Sequence, residues 1–222
     1  MSNPVVRKLI LKELSLNRPF MAGAIGAGLL SIVICCFGKV AFAVGGISFV
    51  TVLIAYGVTL PMFAIAGERK EKSSLFVLSL PISRGEYVRA KVIGVVMTFL
   101  IPWAALMLGV VLFVFATPAP DGLFVLAALM MGFALADFCV IVCTAMLVDR
   151  EGLTALIIIF MNMSVTFFMV GITSLTRIGP DAAVDAVNWS TPALVFLGSE
   201  VAVVVATLGM LFWVTGREPE VV

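Results

Sequence analysis

Hydrophobic residues in this chain form six long runs that are separated by short polar segments. Each run is long enough to cross about 30 Å of hydrocarbon as an α-helix, which takes about 20 apolar residues. The runs cover residues 20–37, 40–66, 92–117, 123–148, 153–175 and 193–215. A spanning β-barrel would instead show strands of about 10 residues with alternating polar and apolar positions, and the chain has no such pattern. We therefore predict an all-α integral membrane protein with six transmembrane helices, in a single domain over residues 1–222.

Composition supports the same class. Hydrophobic residues make up 62% of the chain and charged residues only 12%, whereas about a quarter of the residues in soluble domains are charged. The net charge of +1 does not favour nucleic acid as a partner. The partner that the composition requires is the lipid bilayer.

Lys and Arg residues are concentrated on one side of the predicted spans. If the N-terminus is cytoplasmic, 12 of the 14 Lys and Arg residues fall in cytoplasmic segments, and only Lys39 and Arg177 lie outside. Because cytoplasmic loops carry an excess of these residues, this distribution predicts that both termini and the loop 67–91 are cytoplasmic. The expected location is the plasma membrane, as in a bacterial inner or cell membrane.

The first apolar run has a rival interpretation as a cleaved signal peptide. Basic residues precede it, and Ala41-Phe42-Ala43 resembles a signal-peptidase site. However, a run of 18 residues is longer than the usual signal core of 7 to 15 residues. Cleavage would also leave five spans and reverse the charge balance, so an uncleaved first span is favoured.

Residues 1–19 have the pattern of a helix that lies on the membrane surface. Apolar residues recur at helical spacing, at Val6, Leu9, Ile10 and Leu14. Charged residues are expected mostly on the other side, at Arg7, Lys8, Lys12 and Glu13. Such an interfacial helix binds headgroups or a partner, or only anchors the first span.

The loop 67–91 contains signals for two helices. Ser73 is suited to cap a short helix, and Pro81 ends it, because the residue before a proline avoids the helical region. Ser83 and Glu86 then form a capping box at the start of the helix that becomes the third span. The short helix carries four large apolar residues, Leu75, Phe76, Leu78 and Leu80. Either the membrane surface or another protein must cover them.

The same loop carries a resemblance to a known family. Glu68-Arg69 is followed by Leu78-Ser-Leu-Pro-Ile-Ser-Arg-Gly-Glu-Tyr-Val-Arg-Ala-Lys91 between two spans. This arrangement resembles the type-2 permease subunit of ATP-binding-cassette (ABC) exporters, over nearly the whole chain. The resemblance implies a cytoplasmic coupling helix at residues 73–80, between spans two and three, and short helices in the outer segment 176–192. The implied docking residues for the ATPase subunit are Glu68, Ser73, Leu75, Phe76, Leu78, Leu80, Pro81 and Arg84.

The resemblance also implies the partners and the activity. These are two copies of an ABC ATPase, a second permease subunit that is identical or a sibling, and export of a hydrophobic or amphipathic peptide, drug or lipid-like cargo. The chain lacks the Gly-x-x-x-x-Gly-Lys-Ser/Thr motif that cradles ATP. We therefore expect no cofactor bound by this chain and no catalytic residues, with ATP and Mg in the partner. Without any histidine, and with four cysteines that are typical of packing residues, we also expect no metal site.

Three polar residues within the spans are candidates for the substrate pathway: Asp137, Asn162 and Glu200. Polar groups are costly in hydrocarbon and often mark function. The alternative is that local hydrogen bonds or a subunit interface hold them. Two other functions remain open. One is a non-transporting sensor or immunity subunit that binds an antimicrobial peptide, and the other is a lipid-modifying enzyme, which the lack of an acid–base or metal cluster disfavours.

Overall fold

The chain folds into a bundle of long helices. A computed structural model describes residues 4–67, 84–148, 150–174, 176 and 178–217, and this part of the chain contains no strand. The helices are α1 (Pro4–Leu16), α2 (Arg18–Ile34), α3 (Lys39–Pro61), α4 (Arg84–Ala116), α5 (Leu123–Leu147), α6 (Glu151–Ser174), α7 (Ile178–Asp181) and α8 (Thr191–Arg217). A 3-10 turn, Cys35–Phe37, extends α2, and a π-helical turn, Met62–Gly67, follows Pro61 at the end of α3.

Six of the described helices, namely α2 to α6 and α8, are long and apolar enough to cross a membrane. The predicted all-α class and the six spans are therefore confirmed. The third span, α4, starts at Arg84, directly after the predicted cap Ser83. It therefore begins eight residues before its hydrophobic run, 92–117. The spans alternate in direction, so α2 begins and α8 ends at the same end of the bundle. We call this the terminal end and the opposite one the far end.

Helix α5 is the central helix of the bundle. In its most apolar stretch 61% of the residues are buried inside the protein, compared with 11% to 28% in the other spans. Three stacked rings join it to its neighbours. Phe138 of α5 lies 4.0 Å from Phe99 of α4, and Phe99 lies 5.8 Å from Tyr56 of α3, measured between ring centroids. The Tyr56 hydroxyl donates a hydrogen bond of 2.9 Å to the backbone carbonyl of Thr98.

Helix α1 packs along the beginning of α4. Val6 is buried, and Arg7, Lys8 and Lys12 are exposed or partly exposed, as the amphipathic pattern predicts. The prediction for Glu13 was wrong, because Glu13 is buried. Its position explains this, since a residue seven places after Val6 returns to the same face of a helix.

The far end is formed by connecting segments that contact one another. The backbone N–H of Gly122, which precedes α5, donates to the carbonyl of Val184 at 3.0 Å. The rings of Phe124 and Trp189 meet edge to face with centroids 6.4 Å apart. The single helical turn α7 lies in the segment 176–192, where the resemblance implied short helices.

Close contact between α2 and α3 depends on Gly45. A Cβ atom at this position would lie 2.6 Å from the backbone oxygen of Ser31 and 2.9 Å from the backbone nitrogen of Cys35. Neither backbone atom can move without shifting α2. At the next residue, Gly46, a Cβ atom would have no such neighbour within 4 Å.

This pair of glycines provides a matched test of the packing. We expect Gly45→Ala to lower the free energy of unfolding by about 1–3 kcal/mol, the usual cost of overpacking. Gly46→Ala should be neutral or stabilising by up to about 1 kcal/mol, through helix propensity alone. Thermal unfolding of the purified variants measures both. Equal stabilities of the two variants would contradict the close contact.

Candidate functional site

The docking residues predicted from the loop lie mostly outside the described residues. These are Glu68, Ser73, Leu75, Phe76, Leu78, Leu80 and Pro81. Arg84 is the first residue of α4. Gly67, at the end of the π-helical turn that follows α3, and Arg84, the first residue of α4, both lie at the terminal end. Helix α1 lies at the same end and packs against α4.

A buried ion pair ties α1 to α4 next to this loop. Lys91 Nζ lies 2.6 Å from Glu13 Oε1, with 5% and 8% of the two side chains exposed. Gly94 makes room for the contact, because a Cβ there would lie 2.9 Å from Glu13 Cγ. Lys91 is seven residues after the start of α4, or about 10 Å along the helix. The first turns of α4 and the interfacial helix are thus held together.

The end of α1 is fixed by a second polar contact. Asn17, which is buried between α1 and α2, donates from Nδ2 to the backbone oxygen of Glu13 at 2.9 Å. The second carboxylate oxygen of Glu13, Oε2, is buried and accepts no hydrogen bond from the described residues. The sequence did not lead us to predict the buried contacts of Glu13 with Lys91 and Asn17. The helical spacing of Glu13 from Val6 could have indicated that Glu13 is buried.

Glu200 is buried between α8 and α5. Only 5% of the residue is exposed, and neither carboxylate oxygen has a hydrogen-bond partner in the described part of the chain. Its Oε2 lies against Gly132 of α5, so close that a Cβ at residue 132 would collide with it. The carboxyl group therefore occupies space that exists because residue 132 is glycine.

Asp137 is also buried on α5, with 1% of the residue exposed. Its Oδ1 has no hydrogen-bond partner among the residues that the structure describes. Five residues separate it from Gly132, which places the two positions about 140° apart around the helix axis. Asp137 and the Glu200 contact therefore lie on different faces of α5 and do not form one acidic pair.

Asn162 has a different environment from the two carboxylates. It is exposed on α6, and its Nδ2 donates to the backbone oxygen of Ile158 in the preceding turn at 2.9 Å. Its neighbours Phe160 and Met163 are also exposed. The three pathway candidates are therefore not brought together, and Asn162 has a hydrogen bond within its own helix.

Similarity to known proteins decides the family. The family described as "ABC-2 family transporter protein" matches residues 8–214. The chain belongs to the ABC-2 transporter family. No curated protein and no solved structure shows significant similarity to this chain.

Membership fixes the general role of the chain. An ABC-2 protein of this kind is a multi-pass permease subunit, a membrane transport component that is not itself catalytic. Membership in this family implies association with an ABC ATPase in a transporter complex. The match extends from α1 to α8, so the interfacial helix and the ion pair at Glu13 lie within the family region.

The ion pair can be tested by removing one charge. Glu13→Gln keeps the shape of the side chain but removes the carboxylate beside the buried Lys91 ammonium. We expect the free energy of unfolding to fall by about 3 kcal/mol, the cost of breaking a buried pair from one side. Thermal unfolding of the purified protein measures the change.

Two further variants make this test specific. Lys12→Gln, at the exposed neighbouring position, should change stability by less than about 0.5 kcal/mol. The double variant Glu13→Lys with Lys91→Glu restores opposite charges and should recover part of the loss. If Glu13→Gln is as stable as Lys12→Gln, the ion pair does not hold α1 against α4.

Proposed function

We propose that this permease subunit forms the membrane-spanning part of an ATP-driven exporter. It pairs with a second permease subunit, identical or a sibling, and with two copies of an ABC ATPase that hold ATP and Mg. The cargo is hydrophobic or amphipathic and leaves from the cytoplasm or the inner leaflet. The observation that carries the proposal is the ABC-2 match over residues 8–214.

The distribution of basic residues supports the orientation in this proposal. If the terminal end is cytoplasmic, 12 of the 14 Lys and Arg residues of the sequence fall in cytoplasmic segments, which supports cytoplasmic termini in the plasma membrane. The part of the loop that precedes α4, residues 67–83, then faces the ATPase. Residues 73–80 act as the coupling helix, and their large apolar side chains enter a groove of the ATPase.

The packing of α1 against α4 provides a route for the motion. Closure of the ATPase pair moves the coupling helix, and α4 follows because it begins at Arg84, shortly after residues 73–80. The Glu13–Lys91 ion pair makes α1 move with the start of α4. The motion then reaches α5 through the stacked rings of Phe99 and Phe138.

Copurification tests the partner and the coupling helix together. We expect the tagged protein, extracted gently from its native membrane, to carry a companion with an ATP-binding motif. Leu78→Asp should reduce the bound companion at least tenfold, because a charge replaces an interface anchor worth about 2 kcal/mol or more. Leu78→Met, which conserves volume, should retain it. Quantitative mass spectrometry measures the ratio of the two chains.

Two outcomes would contradict parts of the proposal. A chain that purifies alone would contradict the exporter and favour the sensor or immunity subunit. If Leu78→Asp binds as much of the companion as the unmodified chain does, docking through residues 73–80 is contradicted. The association with the companion would still stand.

The buried carboxylates are proposed to line the pathway and to contact cationic groups of the cargo. Asp137→Asn and Glu200→Gln should then insert normally but lower the ATPase activity of the reconstituted complex by about tenfold, an increase in the activation barrier of about 1.4 kcal/mol. Gly132→Ala should have the effect of Glu200→Gln, because its methyl group displaces the Glu200 carboxyl group. Gly198→Ala is the control, with no atom near its Cβ position. Full activity in both carboxylate variants would make these residues structural.

A further inference from the structure

A cavity of about 840 Å³ lies at the far end of the bundle, and Asp137 and Glu200 are not among the residues that line it. Three connecting segments surround it: the link from α2 to α3, the link from α4 to α5, and the segment around α7. Its volume is within the range of about 300–1,000 Å³ that is usual for small-molecule sites. It therefore has room for part of an amphiphile.

The walls of this far-end cavity are predominantly apolar. The large side chains among them are Phe42, Phe113, Leu123 and Leu126. A hydrocarbon chain would gain favourable contacts with these groups, whereas a charged group placed among them would lose hydration. The interior of the cavity is therefore suited to an acyl chain.

Lys39 gives the cavity its charge. It is the first residue of α3, it is exposed, and it is the one charged residue among the described residues that line the cavity. Gly38, with a φ of 110°, reverses the chain directly before it and brings it to the rim. Because helix ends lie at headgroup depth, an anionic headgroup can reach the Lys39 ammonium while its chain enters the bundle.

No carboxylate is among the described residues that line the cavity. Asp121 and Asp181 belong to adjacent segments but do not line it, and Asp181 accepts a hydrogen bond of 3.4 Å from Asn188 Nδ2. A zwitterionic headgroup would place a cation near Lys39 as well as a phosphate. Charge complementarity therefore favours a lipid with a net negative headgroup.

We propose that the far-end cavity binds one acidic phospholipid of the surrounding bilayer. An acyl chain lies between Phe42 and Leu126, and the headgroup phosphate lies beside Lys39. The site does not depend on the identity of the cargo or on the ATPase, and it makes the lipid composition of the membrane a determinant of how firmly the far-end segments are held.

Cys36 provides a direct probe, because it is exposed and lines the cavity. In a Cys35→Ser background, Cys36 is the thiol at the site, since Cys139 and Cys143 are buried in α5. The protein is purified in a neutral detergent and treated with N-ethylmaleimide, and intact-mass spectrometry follows the labelling. Phosphatidylglycerol should slow the labelling at about fivefold lower concentration than phosphatidylcholine with the same chains, the expected effect of one Lys beside an anionic headgroup.

Variants separate the headgroup from the acyl chain. With Lys39→Gln, the two lipids should protect Cys36 at the same concentration. With Lys39→Arg, phosphatidylglycerol should still protect at the lower concentration. Lys12→Gln, which removes an exposed cation of α1, should leave the difference between the two lipids unchanged. Ala183→Trp, at an exposed lining position, should fill the cavity and abolish protection by either lipid.

Three results would overturn the proposal. The first is equal protection of Cys36 by both lipids in the Cys35→Ser protein. The second is a preference for phosphatidylglycerol that survives Lys39→Gln. The third is that N-ethylmaleimide does not label Cys36 even without lipid, and that Cys36 instead cross-links to a second copy of the chain. This result would make the cavity part of a subunit interface.

Discussion

The burial of α5 by its neighbours is the constraint on which the rest of the bundle depends. Inside a membrane, helices gain little from leaving lipid, so they associate through close packing and through hydrogen bonds that hydrocarbon cannot replace. Helix α5 has both. Its Phe138 ring stacks on Phe99 at 4.0 Å, and the backbone oxygen of Met131 accepts a hydrogen bond of 2.9 Å from the Trp103 indole. The neighbouring spans are positioned by the faces of α5 that they cover.

The same burial means that polar groups on and near α5 raise the free energy of the folded state. Asp137 and Glu200 each have at least one buried oxygen without a partner in the described part of the chain, and Glu200 occupies space left by Gly132. A buried polar group without a hydrogen-bond partner destabilises the folded state. This cost is the physical reason for proposing that these groups act in transport rather than in holding the fold.

The ion pair of Glu13 and Lys91 differs from these carboxylates because its partners come from different parts of the bundle. It links the interfacial helix to the first turns of α4, only seven residues beyond Arg84, where that helix begins. A buried ion pair is weak evidence for stability, but it fixes which surfaces meet. Here it sets the position of α1 beside the segment that is proposed to transmit motion from the ATPase, while the far-end cavity lies at the opposite end of the bundle.

The six spans, the exposed basic face of α1 and the start of α4 could be predicted from the order of the residues, because hydrophobic length, helical period and capping residues are local properties. The sequence also identified Asp137 and Glu200 as polar residues within spans. It did not predict that Glu13 is buried, that the Glu200 carboxyl group lies against Gly132, or that three separate connections line a cavity with Lys39 at its rim. Those features depend on which helix faces meet and at what distance. Side-chain contacts between helices far apart in the sequence decide that, and only the tertiary structure contains them.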